Sequence, residues 1–410
     1  VTDFADPAQA AAWLRTPAAI RARCNALLAL GEAGGLAHVS VHADRLPDAA
    51  AYVAEVIRAN YPDLRIPYHA RWRHFATGGV DRWGALAAGL RDRAEAARVA
   101  CELCIVSVLL DAGAGPAWHY QEPGGAIYTR SEGLAVASLH AYRAGLFSGE
   151  PDRPWRADAP GLWLADAAAL SIAFQVSEHN PLAGLEGRAA LMRNLGEVVC
   201  NRPDLFGAED PRLGHLFDHL SAQAEDGALP AAAILACLLD ALAPVWPERL
   251  TLGEANLGDV WRHPAAAGPG LTDGLVPFHK LSQWLTYSLV EVFEGAGLRV
   301  TDLDALTGLP EYRNGGLFLD LGVIALRDPG LAAKPLPVAH EAIVEWRALT
   351  VALLDRLAPL VRARLGLSAE ALPLARVLEG GTWAAGRKIA RAHRADGAPP
   401  LAVLSDGTVF

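Results

Sequence analysis

Apolar residues recur at three- and four-residue steps along most of the chain, and the steps are interrupted by proline and glycine rather than by long polar stretches. The run PAAIRARCNALLALG predicts a helix from Pro17 to Gly31, with proline near its start and glycine as its stop. Leu46 to Asn60 predicts a second helix, and Trp83 to Asp111 predicts one long helix or two shorter ones closed by DAGAG. Further helices are expected at Leu164 to Gln175, Leu182 to Val199, Leu213 to Gln223, Ala231 to Ala243, Leu281 to Gly295, Ala339 to Arg364 and Trp383 to His393. Strand-like alternation is scarce. GGAIYTR alternates around Ile127 and Tyr128 and predicts one small hairpin, after which SEGLAVASLHAYRAG returns to helical spacing with Ser131 as its N-cap. PPLAVLSDGTVF predicts a closing hairpin in which LAV and TVF flank a Ser-Asp-Gly turn. The expectation is therefore a mainly α fold with minor β-hairpin elements.

No Pro/Gly/Ser-rich polar linker marks a boundary, and no self-similarity appears at periods of roughly 20 to 50 residues. The chain reads as a single catalytic unit, divisible at most into an N-terminal helical part, 1–160, and a remainder, 161–410. Composition agrees: 52% apolar and 20% charged residues over 410 positions is ordinary for a globular protein. The net charge of −10 argues against a nucleic-acid partner, which needs a surplus of Lys and Arg on one face. Apolar runs such as Ile105 to Leu110 are too short to span a bilayer, and the start of the chain lacks the basic and apolar regions of a secretory signal. Five scattered cysteines, an odd number, are poor material for a disulfide framework and fit a reduced, cytoplasmic setting.

Familiar catalytic signatures are absent: no dinucleotide fingerprint, phosphate loop, His-Glu-x-x-His or Gly-x-Ser-x-Gly. Cys101 and Cys104 form a CxxC inside an apolar helical run without a second ligand pair, which predicts core thiols. Two loops are chemically denser. PYHARWRHF sets His69, Arg71, Arg73 and His74 among aromatics, either as donors for a phosphate or ribose, or as partners of carboxylates elsewhere. GDVWRHP repeats the theme with Asp259, Trp261, Arg262 and His263. His69, His74 and His263 are also the residues from which a zinc site would be built, although their spacing is not that of a compact ligand set.

The most informative stretch runs from Phe278 to Val323. His279 precedes a helix on which Lys280, Gln283, Trp284 and Tyr287 fall to one side. Glu311 follows a Gly-Leu-Pro turn and precedes Tyr312 and Arg313, where it would either cap a new helix or present a carboxylate to a site. Lys280, Gln283, Asp302, Asp304, Leu306, Thr307, Tyr312, Arg313 and Leu321 to Val323 resemble, in order and spacing, the pattern of the queuosine 5′-phosphate N-glycosylases. That resemblance implies an all-helical fold similar to helix-hairpin-helix DNA glycosylases, with a lysine and an aspartate facing the anomeric carbon. Glu311 stands where those enzymes have aspartate, and Asn-Gly-Gly replaces their Val-Pro-Gln, so the base-side contacts do not carry over.

Over nearly its full length the chain resembles the family linked to uracil catabolism, the fourth gene of the fungal ring-opening pathway and its bacterial relatives, a domain of unknown function. IPYHARWRHF, VSVLLDAGAG, RSEGLAVAS, NPLAGLEGRA, GDVWRHP, DGLVPFHKLSQWL, GLPEYRNGGL, VLEGGTWAAGR and SDGTVF carry that resemblance. It implies a substrate downstream of uridine ring opening, with urea and a ribosyl group to be separated.

Joined, the two resemblances imply hydrolysis of the C1′–N bond of a ribosylurea, as its 5′-phosphate, with no cofactor. Positive charge develops on the ribose as this bond breaks, so a carboxylate is required nearby, and Glu311 is the candidate. Lys280 is expected to pair electrostatically with Glu311 rather than form a Schiff base, and Lys280, His279 or another histidine would protonate the departing urea. Arg71, Arg73, Arg262 and Arg313 are the expected phosphate clamp, with Asp259 for ribose hydroxyls and His69, His74, Trp261, His263, Gln283, Trp284 and Tyr312 completing the pocket. A zinc-dependent amidohydrolase acting on the ureido group, and a non-catalytic ligand-binding protein, are the competing expectations.

Overall fold

Side-chain caps and prolines begin the helices where apolar spacing predicts them. The computed structural model describes residues 4–404. Thr16 accepts the Ala19 N–H ahead of the helix Pro17–Glu32, and proline opens the helices Pro7–Leu14 and Pro17–Glu32 where no intrahelical donor is needed. Leu46–Asn60, Leu185–Asn201, Ala231–Ala241, Lys280–Gly295 and Ala384–His393 lie close to their expected positions. The fold is mainly α, with short two-stranded pairings.

Departures have local causes. The Trp83 to Asp111 region divides into Arg82–Ala87 and Arg93–Leu109, because Asp92 caps the second helix through the N–H groups of Ala94 and Glu95. Leu164 to Gln175 breaks likewise where Asp166 caps Ala167–Ala173. Ser131 is not the N-cap expected of it: the helix Arg130–Arg143 starts earlier, and the Ser131 hydroxyl donates to Asp111 at 3.0 Å. The hairpin near Ile127 is present, pairing His119–Gln121 with Ile127–Thr129. The closing hairpin falls partly outside the described residues. Within them, Val403–Leu404 pairs in parallel with Leu336–Pro337.

The described chain gathers into two compact units, each assembled from discontinuous segments. One comprises residues up to His69, Glu248–Gln283 and Asp302–Leu404, and the other comprises Ala70–Pro247 and Trp284–Thr301. In the first, the 25-residue helix Glu341–Leu365 packs against Pro17–Glu32 and Leu46–Asn60, and Val39–Val41 pairs antiparallel with Ile324–Leu326. Its apolar middle, Ile343 to Leu354, is buried, yet it carries Glu345 and Arg347. In the second, Arg93–Leu109 packs against Arg130–Arg143, and Cys101 and Cys104 lie fully inside the unit. Burial pushes both thiols well above the ordinary range, which fits inert core residues. Among the described residues no helix is long and apolar enough to cross a membrane.

One ion-pair cluster in the second unit sets an acid limit. Glu122 accepts hydrogen bonds from Arg82 Nε and Nη2 at 2.7 and 2.6 Å and faces His140 Nε2 at 2.8 Å. The Arg82 hydrogen bonds, with a smaller contribution from His140, lower its carboxyl from the usual 4.5 to about 2. A depressed folded pKa stabilises the fold above the ordinary value, and that contribution is lost as pH falls from about 4.5 to about 2. Denaturant titrations between pH 7 and 2 should show Glu122→Gln less stable at neutral pH and less pH-sensitive in that window. Parallel pH dependences for variant and parent would refute the assignment.

Candidate functional site

Within the first unit, the predicted residues of the Asp259 loop and of the 278–283 stretch meet around one largely buried carboxylate. Val260–Arg262 pairs antiparallel with Leu275–Pro277, which brings Asp259 opposite Phe278, whose N–H donates to the Asp259 carbonyl at 2.9 Å. Arg347 Nη1 and Nη2 each donate to one Asp259 oxygen at 2.8 Å, a bidentate pair. Trp261 Nε1 adds a bond at 2.6 Å and the Lys280 backbone N–H another at 3.0 Å. Burial would push the Asp259 carboxyl up, but the Arg347 charge and these donors overcome it and hold the group well below the usual carboxylate range. The Arg347 guanidinium also lies 4.1 Å from the centre of the Phe278 ring.

His279 adopts a left-handed backbone, φ 49°, immediately before the helix Lys280–Gly295. Its Nε2 lies 3.0 Å from the Leu14 carbonyl, and burial lowers its pKa, so the ring is a neutral donor to that carbonyl. One turn later Gln283 is locked to Thr307: its Oε1 accepts the Thr307 N–H at 2.9 Å and its Nε2 donates to the Thr307 hydroxyl. Gln283 thus anchors the Gly-Leu-Pro turn that leads to Glu311.

Glu311 is the N-cap of the helix Tyr312–Asp320 and is only 6% exposed. Its two oxygens accept the N–H groups of Arg313 and Asn314 at 2.8 and 2.6 Å, a pattern that complements negative charge at a helix N-terminus. Asn314 is held in turn by its bond to the Leu309 carbonyl at 3.1 Å and by the Thr382 hydroxyl at 2.8 Å. Thr382 belongs to a π-helical turn, Leu378–Trp383, of a kind that is uncommon and recurs at functional sites. The same turn carries Glu379, whose Oε2 is 2.7 Å from His69 Nδ1, with both side chains largely buried. His69 also meets the Trp383 ring at 5.8 Å, and the Arg387 guanidinium lies 5.0 Å from that ring's centre. Gly386 allows the closest approach of the next helix, because a Cβ there would overlap the Arg313 carbonyl. Arg313 reaches the Gly397 carbonyl at 2.8 Å and lies over the Tyr312 ring at 4.9 Å.

The remaining predicted residues are separately engaged. Arg262 is exposed on its strand. His263 accepts the Ala265 N–H at Nδ1, and its Nε2 lies 3.4 Å from Glu345 Oε1. Arg71, Arg73, His74 and Trp284 belong to the second unit. There Arg71 is fully buried, donating to Asp111 at 2.6 Å and to the Ser107 hydroxyl at 2.7 Å. Arg73 pairs with Glu291 at 2.6 Å, and the His74 ring meets Trp284 edge-on at 5.6 Å. Among the described residues no group of three or more His, Cys, Asp or Glu side chains is placed to hold a metal ion.

Sequence reading missed Arg347, Glu345, Glu379 and Asp111, the partners that orient the residues it chose. Glu345 is fully buried and accepts the N–H groups of Ala37, His38 and Val39 at 3.1, 3.0 and 2.9 Å. A signal existed in EAIVEWRALTVALL, where two charged residues interrupt an otherwise apolar helix and must find buried partners.

The first unit is therefore that of a mainly helical protein in which buried acidic and cationic groups are held on helix termini and a π-turn. The chain belongs to the family described as "Protein of unknown function (DUF1688)", which it matches over residues 13–410. It is 40% identical over 401 residues to "Protein urg3" of Schizosaccharomyces pombe, covering 95% of this chain and 96% of that protein. It is 37% identical over 409 residues to "Uracil catabolism protein 4" of Lachancea kluyveri, covering 91% and 92%.

Proposed function

We propose that the chain is an enzyme of uracil catabolism that hydrolyses the N-glycosidic bond of a ribosylurea, as its 5′-phosphate, releasing urea and ribose 5-phosphate. The pathway is supported by the name of the Lachancea kluyveri relative, which aligns over most of both chains. The reaction is supported chiefly by Glu311, a buried carboxylate fixed in place by two backbone N–H groups. As the C1′–N bond lengthens, its electron pair moves to nitrogen and positive charge grows on the ribose ring, which the carboxylate stabilises. Water adds to C1′ and gives up a proton, while the departing urea nitrogen gains one.

His69 suits the proton-donor role better than His279. Glu379 orients the His69 imidazole, whereas the His279 Nε2 proton is committed to the Leu14 carbonyl. Lys280, in the first turn after His279, is the candidate electrostatic partner of Glu311, and Arg313 and Arg262 are the candidate phosphate contacts. Asp259 acts through its ion pair with Arg347 as a positioning group in this reading. The purified chain should release urea and ribose from ribosylurea, and urea and ribose 5-phosphate from its 5′-phosphate, with the phosphate form turned over faster. Absence of both products, under conditions where the folded protein binds either compound, would overturn the assignment.

A further inference from the structure

The second unit contains a cavity of about 350 Å³ that none of the foregoing chemistry uses, within the usual size range of small-molecule sites. Its walls come from the short helices Arg71–Phe75 and Arg82–Ala87, the first turns of Arg93–Leu109 and the last turns of Lys280–Gly295. Trp72 and Trp83 form one side, with ring centres 5.3 Å apart and planes inclined at 59°. Trp72 is pinned by its Nε1 bond to the Ser288 carbonyl at 2.8 Å, so this wall is preorganised. Ala87, Ala96, Ala97 and Ala100 contribute only methyl groups, which is why space remains between the helices.

Among its polar lining residues, Arg73 Nη2 and Glu291 Oε2 stand 2.6 Å apart, and both side chains remain partly exposed, at 32% and 26%. This pair sets a strong donor beside a strong acceptor. The complementary ligand edge is an N–H next to a C=O, as in a cis-amide or cyclic ureide: the carboxylate accepts from the N–H and the guanidinium donates to the carbonyl. An indole wall with alanine methyls suits the faces of a flat, uncharged ring.

We propose that this cavity binds a planar, uncharged cyclic ureide, held against Trp72 and Trp83 and read at its amide edge by Arg73 and Glu291. Binding requires no bond cleavage and does not depend on Glu311, so the site stands or falls separately from the proposed hydrolysis.

Uracil is the probe, with 1,3-dimethyluracil as a control that keeps the ring and carbonyls but lacks N–H donors. Calorimetry and saturation-transfer NMR on the full chain should detect saturable uracil binding and at least tenfold weaker binding of the dimethyl compound. Trp83→Leu should weaken uracil binding about tenfold or more. Ala96→Leu, which fills the space with the ring wall intact, should abolish it at an unchanged helical circular-dichroism spectrum and melting profile. Glu311→Gln should bind uracil as the parent does. No saturable binding at about 10 mM uracil, equal affinity for the dimethyl compound, or binding unaffected by both cavity variants would each overturn the proposal.

Discussion

Glu311→Gln is expected to abolish urea release from ribosylurea 5′-phosphate, with a fall of at least about a hundred- to a thousandfold in kcat, the scale on which loss of one electrostatic stabiliser acts. The glutamine keeps the size of the side chain but removes the charge that opposes an oxocarbenium-like ribose. Because Glu311 also caps Tyr312–Asp320, the variant should lose about 0.5–2 kcal/mol of stability as well. The two effects separate cleanly, because a folded variant at 20 °C with unchanged KM and lost kcat identifies a transition-state role. A variant that melts earlier but releases urea at the parental rate reduces Glu311 to a helix cap and removes the basis of the proposed reaction. Glu311→Asp sharpens the test, since it restores the charge but sets the carboxylate one methylene back.

Arg347→Ala should be the most destabilising single substitution around the Asp259 cluster. The guanidinium is 1% exposed and donates to both oxygens of Asp259, so its removal leaves a largely buried carboxylate without its countercharge, held by the Trp261 and Lys280 N–H groups, and costs about 3–5 kcal/mol. The double variant Arg347→Met with Asp259→Asn eliminates the uncompensated charge and should recover a large part of that loss in denaturant unfolding. If the single and double variants unfold alike, the pair contributes packing rather than charge compensation.

These two sites show what the sequence made legible. The cap at Glu311 follows from local chemistry: a Gly-Leu-Pro turn, then an acidic residue, then helical spacing. Helices such as Leu46–Asn60 were equally accessible, because their burial repeats at the helical period. The Arg347–Asp259 pair was not, since its members lie far apart in sequence and only tertiary packing brings them to 2.8 Å. From sequence Asp259 reads as a ribose ligand, because a loop carboxylate followed by Trp, Arg and His looks like a binding motif until the buried arginine is known. The pairings of Val260–Arg262 with Leu275–Pro277 and Val39–Val41 with Ile324–Leu326 were hidden for a related reason: strands of three residues carry too little alternation to read. The π-turn at Leu378–Trp383 left only Glu-Gly-Gly-Thr-Trp in the chain, a string that does not by itself distinguish a loop from a widened helix.

The discontinuous make-up of the first unit has a bearing on how the chain is born. Residues up to His69 pack with Asp302–Leu404, so Pro17–Glu32 and Leu46–Asn60 emerge from the ribosome long before Glu341–Leu365, the helix that covers them. At about 5–20 residues per second that wait is on the order of fifteen to sixty seconds, during which apolar faces stay exposed. The N-terminal helices are therefore natural clients for a chaperone during translation, and synonymous changes that slow elongation between positions 70 and 301 would lengthen their exposure.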